Sequence, residues 1–158
     1  MTIPLWSLLV FAVWTLAVLA GTIGVYRWNL ILRGERAIHT FRADATEGPD
    51  WYRRATRAHA NCVENLPVFG AIVTIATFAG VHSAAFDAAA IVVSAARVVQ
   101  TVTHIAFRES RRSVSIRFGF FAVQLSCMMG MAVMIASMAM AMGTPSSAWI
   151  NGALVLEI

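Results

Sequence analysis

From Pro4 to Leu32 the chain is almost unbroken apolar sequence. The run is too long for the core of a secretion signal, and it lacks the charged start and small-residue cleavage pattern such a signal needs. A segment like this has one stable form, a helix across a bilayer, because lipid offers no partner to an exposed backbone N–H or C=O. Three more such runs follow, from Trp51 to Val81, Ala85 to Phe107 and Ser113 to Met142. Hydrophobic residues make up 59% of the chain and charged residues 13%, against roughly 25% charged in an ordinary soluble domain. The reading is an all-α integral membrane protein. It forms a single domain over residues 1–158, a bundle of four transmembrane helices at 4–32, 51–81, 85–107 and 113–142, with a C-terminal tail at 143–158. In that tail, Trp149 and the run Leu154 to Leu156 are expected to lie on the membrane surface.

The charges are distributed as unevenly as the apolar runs. All twelve basic residues are arginines, and all lie between Arg27 and Arg117. The first loop region carries Arg33, Arg36, Arg42, Arg53 and Arg54, and the third carries Arg108, Arg111 and Arg112; both termini and the turn at His82 carry none. Positive charge stays on the cytoplasmic side, so the two arginine-rich loops are expected in the cytoplasm and both termini outside. That bias, with no endoplasmic-reticulum retention signal, fits a bacterial inner membrane. Topology thus accounts for the net charge of +4, and no nucleic-acid reading motif accompanies it. Arg53, Arg54, Arg108 and Arg111 read as topogenic or headgroup-facing residues rather than ligands.

The start of the second span is the exception to its apolarity. Arg53 to Phe69 reads RRATRAHANCVENLPVF, with five ionisable side chains and two asparagines leading into an apolar run interrupted by Pro67. Each ionisable group inside a bilayer costs roughly 2.5 to 3.5 kcal/mol, so such groups normally face a bundle interior or a watery cavity and mark a site. Arg57, Asn61 and Glu64 fall within about 60° of one another on a helix. In the third span Arg97, Gln100, Thr101 and His104 share one face at the same depth, and Arg112 and Ser113 open the fourth span nearby, with Arg111 and Arg117 as further cations. Guanidinium forks bind carboxylates, while Glu64 can pair an arginine or capture an ammonium, so the ligand implied is zwitterionic and polycarboxylic. The plainer reading is that Arg57, Glu64 and Arg97 neutralise one another as inter-helix ion pairs. His59 falls roughly opposite Arg57 and suits packing or a subunit contact. His39, His59, His82 and His104 show no metal-ligand spacing, and Cys62 and Cys127 sit in apolar stretches where a thiol packs. Four short helices enclose little interior, so further walls for the site are expected from neighbouring subunits.

The string Arg57-Ala58-His59-Ala60-Asn61, followed by Cys62-Val63-Glu64-Asn65-Leu66-Pro67, closely resembles the hallmark at the start of the second helix in one family. These are the membrane-associated proteins in eicosanoid and glutathione metabolism (MAPEG), which include the microsomal glutathione transferases and prostaglandin E synthase. Ala96-Arg97 resembles the family's arginine in helix three, and Arg112-Ser113-Val114 the entry to helix four. The resemblance implies a homotrimer of four-helix subunits, with glutathione as co-substrate bound between subunits at the cytoplasmic side. Arg57, Asn61 and Glu64 would hold the charged ends of the tripeptide, with Arg97, Gln100 and His104 close behind. Arg112 matches the arginine that stabilises the glutathione thiolate, and Ser113 matches a neighbouring polar contact. The second substrate would be lipophilic and arrive from the bilayer among the membrane lipids.

The chain also departs from the family's pattern. Gln100, His104 and Ile116 occupy positions where active members often carry tyrosine or histidine, and Ala60 replaces an arginine of some eicosanoid branches, which argues against prostaglandin synthesis. Two functions therefore follow from the sequence: a glutathione-dependent membrane transferase or peroxidase acting on lipophilic electrophiles, and a catalytically silent structural or accessory subunit of a larger membrane assembly. A transporter fits less well, since the four spans show no internal repeat.

Overall fold

The computed structural model describes residues 1–41 and 46–143, the last two by backbone alone. Arg42 and the tail with Trp149 and Leu154 to Leu156 lie outside the described residues. Among the described residues, four helices are long and apolar enough to cross a membrane: α1 (Ile3–Leu32), α2 (Asp50–Phe78), α3 (Ala84–Ala106) and α4 (Arg111–Gly143). The described chain is otherwise turns and one short 3-10 segment, Ile38–Thr40.

Helix ends follow local chemistry. α2 opens at Asp50 directly after Pro49, whose fixed φ suits the entry to a helix. α1 and α2 both close on a glycine with positive φ, Gly34 at 70° and Gly80 at 65°. In each case the two residues after the cap donate back to the last turn: Gly34 N to Ile31 O and Glu35 N to Leu30 O, and Gly80 N to Thr77 O and Val81 N to Ala76 O. Only glycine adopts that left-handed geometry without a Cβ penalty. The Ser83 hydroxyl accepts from Phe86 N at 3.1 Å and caps α3.

α1 is not uniform. Residues Leu19–Gly24 form a π-helical stretch in an otherwise α-helical span, which the apolar run gave no reason to expect. Gly21 and Gly24 weaken the local preference for α-helix, and the Thr22 hydroxyl bonds Val18 O, competing for a carbonyl of the ladder.

α3 is the central helix and packs on all three others. Its inner face joins Phe11 of α1, Cys62, Phe69 and Val73 of α2, and Met128 and Met131 of α4 in one apolar core. The rings of Phe11 and Phe69 lie 5.9 Å apart. Without a hydrophobic drive between helices in lipid, close packing has to come from small side chains at the contacts, and Ala55, Ala58, Ala76, Ala90 and Ala96 are all buried.

The up-and-down order brings the end of α1, the start of α2, the end of α3 and the start of α4 to one end of the bundle. An aromatic collar fixes α1 against α2 there. Tyr26 packs on Tyr52 at 4.3 Å and on Trp51 at 5.5 Å, and Arg27 Nε donates to the Tyr52 hydroxyl at 2.8 Å. Trp6 and Trp28 point outward near opposite ends of α1, as interfacial anchors do.

Candidate functional site

The polar residues singled out in the sequence collect at the arginine-rich end, but the two helical stripes face different surroundings. On α2, Arg57 and Glu64 are exposed on the surface of the single subunit, and Asn61 is partly so. On α3, Arg97, Gln100, Thr101 and His104 are all buried. The stripes meet at two levels: Glu64 and Cys62 lie within electrostatic range of Arg97, and Arg57 lies within range of His104. A hydrogen-bond contact of 3.5 Å between Cys62 Sγ and Thr101 Oγ1 ties the helices between those levels.

Arg97 is only 1% exposed. Its guanidinium sits 5.4 Å from the centroid of the Phe11 ring, and its Nε and Nη2 make no hydrogen bond within the described residues. A buried cation needs a compensating charge, and the nearby acid is Glu64. Arg97 thus lies buried behind the exposed α2 stripe, within electrostatic range of Glu64.

Gln100 is held on both sides of its amide. Nε2 donates to Arg117 O at 3.0 Å, and Oε1 accepts from Gln124 Nε2 at 3.0 Å. Gln124 is completely buried and also donates to Phe120 O. The sequence reading missed Gln124. A lone amide in the apolar fourth span was the signal, since polar side chains in a span are kept for packing or function.

Ser113 is consumed by the turn before α4. Its hydroxyl donates to Arg108 O at 3.0 Å and accepts from Ser110 N at 2.9 Å, while Ser110 Oγ accepts from Ser113 N at 3.2 Å. This reciprocal pair is a capping box with serine at both positions. Arg112 is exposed and lines a groove of about 420 Å³ together with Thr103, Phe107, Arg108, Ser110 and Ile116. Two further grooves, about 330 and 270 Å³, run between α1 and α3 on the outer surface and are almost entirely apolar.

Arg54 departs from expectation. It is buried, not headgroup-facing: Nε and Nη2 each donate to Ile105 O at 3.2 Å, and Nη1 pairs with Asp50. The guanidinium fork closes the C-terminal end of α3, where carbonyls lack helical partners and cations are favoured. His59 faces away from Arg57, half-buried against α1, where its ring reaches the Thr15 backbone. Cys62 and Cys127 are free thiols.

A model of the MAPEG family matches residues 4–137, which covers all four spans up to the last turns of α4. The chain belongs to the MAPEG family. It is an integral membrane protein of a family that includes glutathione transferases and peroxidases alongside other members. No curated protein gives a significant match to this MAPEG chain.

Proposed function

We propose that this MAPEG protein is a glutathione-dependent transferase or peroxidase acting on lipophilic electrophiles. One observation carries the reading: Arg57, Asn61 and Glu64 form a charged stripe on the outward surface of a membrane-spanning helix. Left against lipid, such a stripe is costly, so a second subunit covers it, and the interface becomes a polar cleft between copies of the chain. A homotrimer fits that requirement. In the cleft, Arg57 takes a glutathione carboxylate, Glu64 its ammonium and Asn61 a backbone amide. Arg97 supports Glu64 from behind, and Gln100 and His104 form the inner wall. The arginine-rich end faces the cytoplasm, with both termini outside, in a bacterial inner membrane.

Arg112 supplies the chemistry. A free thiol has a pKa of about 8.5 and is mostly unreactive at neutral pH; a guanidinium beside it stabilises the thiolate, which is the nucleophile. The thiolate sulfur attacks the electrophilic centre, and the leaving group departs with the electron pair; with a hydroperoxide, the sulfur takes one oxygen and the alcohol is released. Ser113 positions Arg112 through the capping box. The lipophilic substrate reaches the sulfur from the bilayer. The rival reading, a catalytically silent accessory subunit, draws support from Gln100, whose amide is already engaged on both sides.

The test is glutathione binding to the purified protein in detergent by calorimetry, with an ultraviolet difference spectrum for the thiolate, for wild type and Arg57→Ala. Binding with a thiolate band in wild type, and neither in the variant, supports the enzyme. No binding by wild type at millimolar glutathione removes it and leaves the accessory subunit.

A further inference from the structure

Arg57, the residue proposed to take a ligand carboxylate, already holds one. Its Nη1 donates to Oε1 of Glu109 at 2.7 Å, between residues far apart in sequence. Glu109 lies in the turn between α3 and α4, and is the single acid in the run Phe107-Arg108-Glu109-Ser110-Arg111-Arg112. The same turn carries Ser110, which caps α4, and leads into Arg112, so the contact ties the carboxylate-binding end of the site to the loop bearing its second arginine.

In the single subunit both side chains are more than half exposed, 61% for Arg57 and 56% for Glu109, and in the polar cleft proposed above they would face the ligand and its water. An ion pair this open to water contributes little, because each partner keeps much of its hydration. It can therefore be exchanged. A ligand carboxylate offers Arg57 the same chemistry as Glu109, with the chance of a bidentate fork, whereas an ester, amide or hydroxyl at that point cannot replace a charged partner. Buried His104 lies within electrostatic range of both Arg57 and Glu109, so the exchange also alters the field at the inner wall.

We infer that Glu109 is a specificity-determining residue, an internal carboxylate that occupies Arg57 until a ligand carboxylate displaces it. The inference rests on the reading of Arg57 as a glutathione contact. It sets a threshold: the site admits ligands whose carboxylate competes with Glu109.

The experiment compares glutathione affinity, by calorimetry on the full chain in detergent, for wild type, Glu109→Gln, Arg57→Ala and the double variant. Glu47→Gln serves as the control, because it removes the same charge from the other loop at that end, where Glu47 pairs with Arg36. Glu109→Gln should bind roughly two- to fivefold more tightly, the range of an exposed pair. Glu47→Gln should match wild type, and removing Glu109 should restore no binding once Arg57 is alanine. Equal affinity for Glu109→Gln and wild type overturns the inference, as does measurable binding by the double variant where Arg57→Ala alone shows none. If no form binds glutathione, the proposed function fails and this inference fails with it, whereas binding with equal affinities overturns the inference alone. Phenylglyoxal modification of Arg57, followed by peptide mass spectrometry, should be roughly two- to fivefold faster in Glu109→Gln, and an unchanged rate overturns the inference by itself.

Discussion

The guanidinium of Arg97 lies 5.4 Å from the centre of the Phe11 ring, in the middle of the contact between α1 and α3. The ring's negative face replaces part of the hydration the cation loses on burial, and a desolvated pair of this kind contributes up to about 2 kcal/mol. Phe11→Leu keeps most of the volume but removes the π-face, and with it the contact to Phe69. It should destabilise the protein by about 1–3 kcal/mol, read as a lower Tm in detergent. A Tm equal to wild type would show that Arg97 is compensated by Glu64 alone.

Arg54 should prove structural rather than ligand-binding. Its fork makes two hydrogen bonds to Ile105 O and a pair with Asp50, and charged hydrogen bonds of this sort contribute about 1.5–3 kcal/mol. Arg54→Lys keeps the charge without the planar fork. We expect a lower Tm and faster amide exchange in the last turn of α3, with glutathione affinity per folded protein unchanged.

The amide pair Gln100 and Gln124 separates stability from ligand binding. Gln124→Leu strips Gln100 Oε1 of its donor in a buried place, at about 1–3 kcal/mol. Replacing both by leucine removes donor and acceptor together and should recover most of that loss. If Gln100 forms the inner wall of a glutathione site, the double variant should fold yet bind the tripeptide more weakly. Unchanged binding would remove Gln100 from the site.

Ser110 and Ser113 hold the start of α4 by reciprocal capping bonds. Ser113→Ala should cost about 1 kcal/mol of stability and, by loosening Arg112, weaken the thiolate band at saturating glutathione. Ser113→Thr retains the hydroxyl and should restore both. A variant with normal thiolate absorbance would mean that Arg112 is aimed without the cap.

Much of the bundle is local information. Runs such as Pro4 to Leu32 are long and apolar, with Arg27 as the single charge, and lipid leaves them only a helix across the membrane; the four helices follow from that patterning. The grouping of Arg57, Asn61 and Glu64 is equally local, because seven residues on one helix return nearly to the same angle. The pairs that shape the site join residues distant in the chain, and periodicity carries no information about them. The same helical arithmetic put Arg97, Gln100 and His104 on one face, but only the packing of α3 among three neighbours turned that face inward and left the α2 stripe open. Arg54 looked like one more loop arginine until the fold brought Ile105 beneath it. Glu109 sat unremarked among arginines until the turn between α3 and α4 delivered it to Arg57. The sequence by itself determined which segments cross the membrane and which carry charge into it, because solvation acts on each segment separately. The tertiary structure decided which charges are buried, capped or already paired, because those outcomes depend on what another helix brings within a few ångströms.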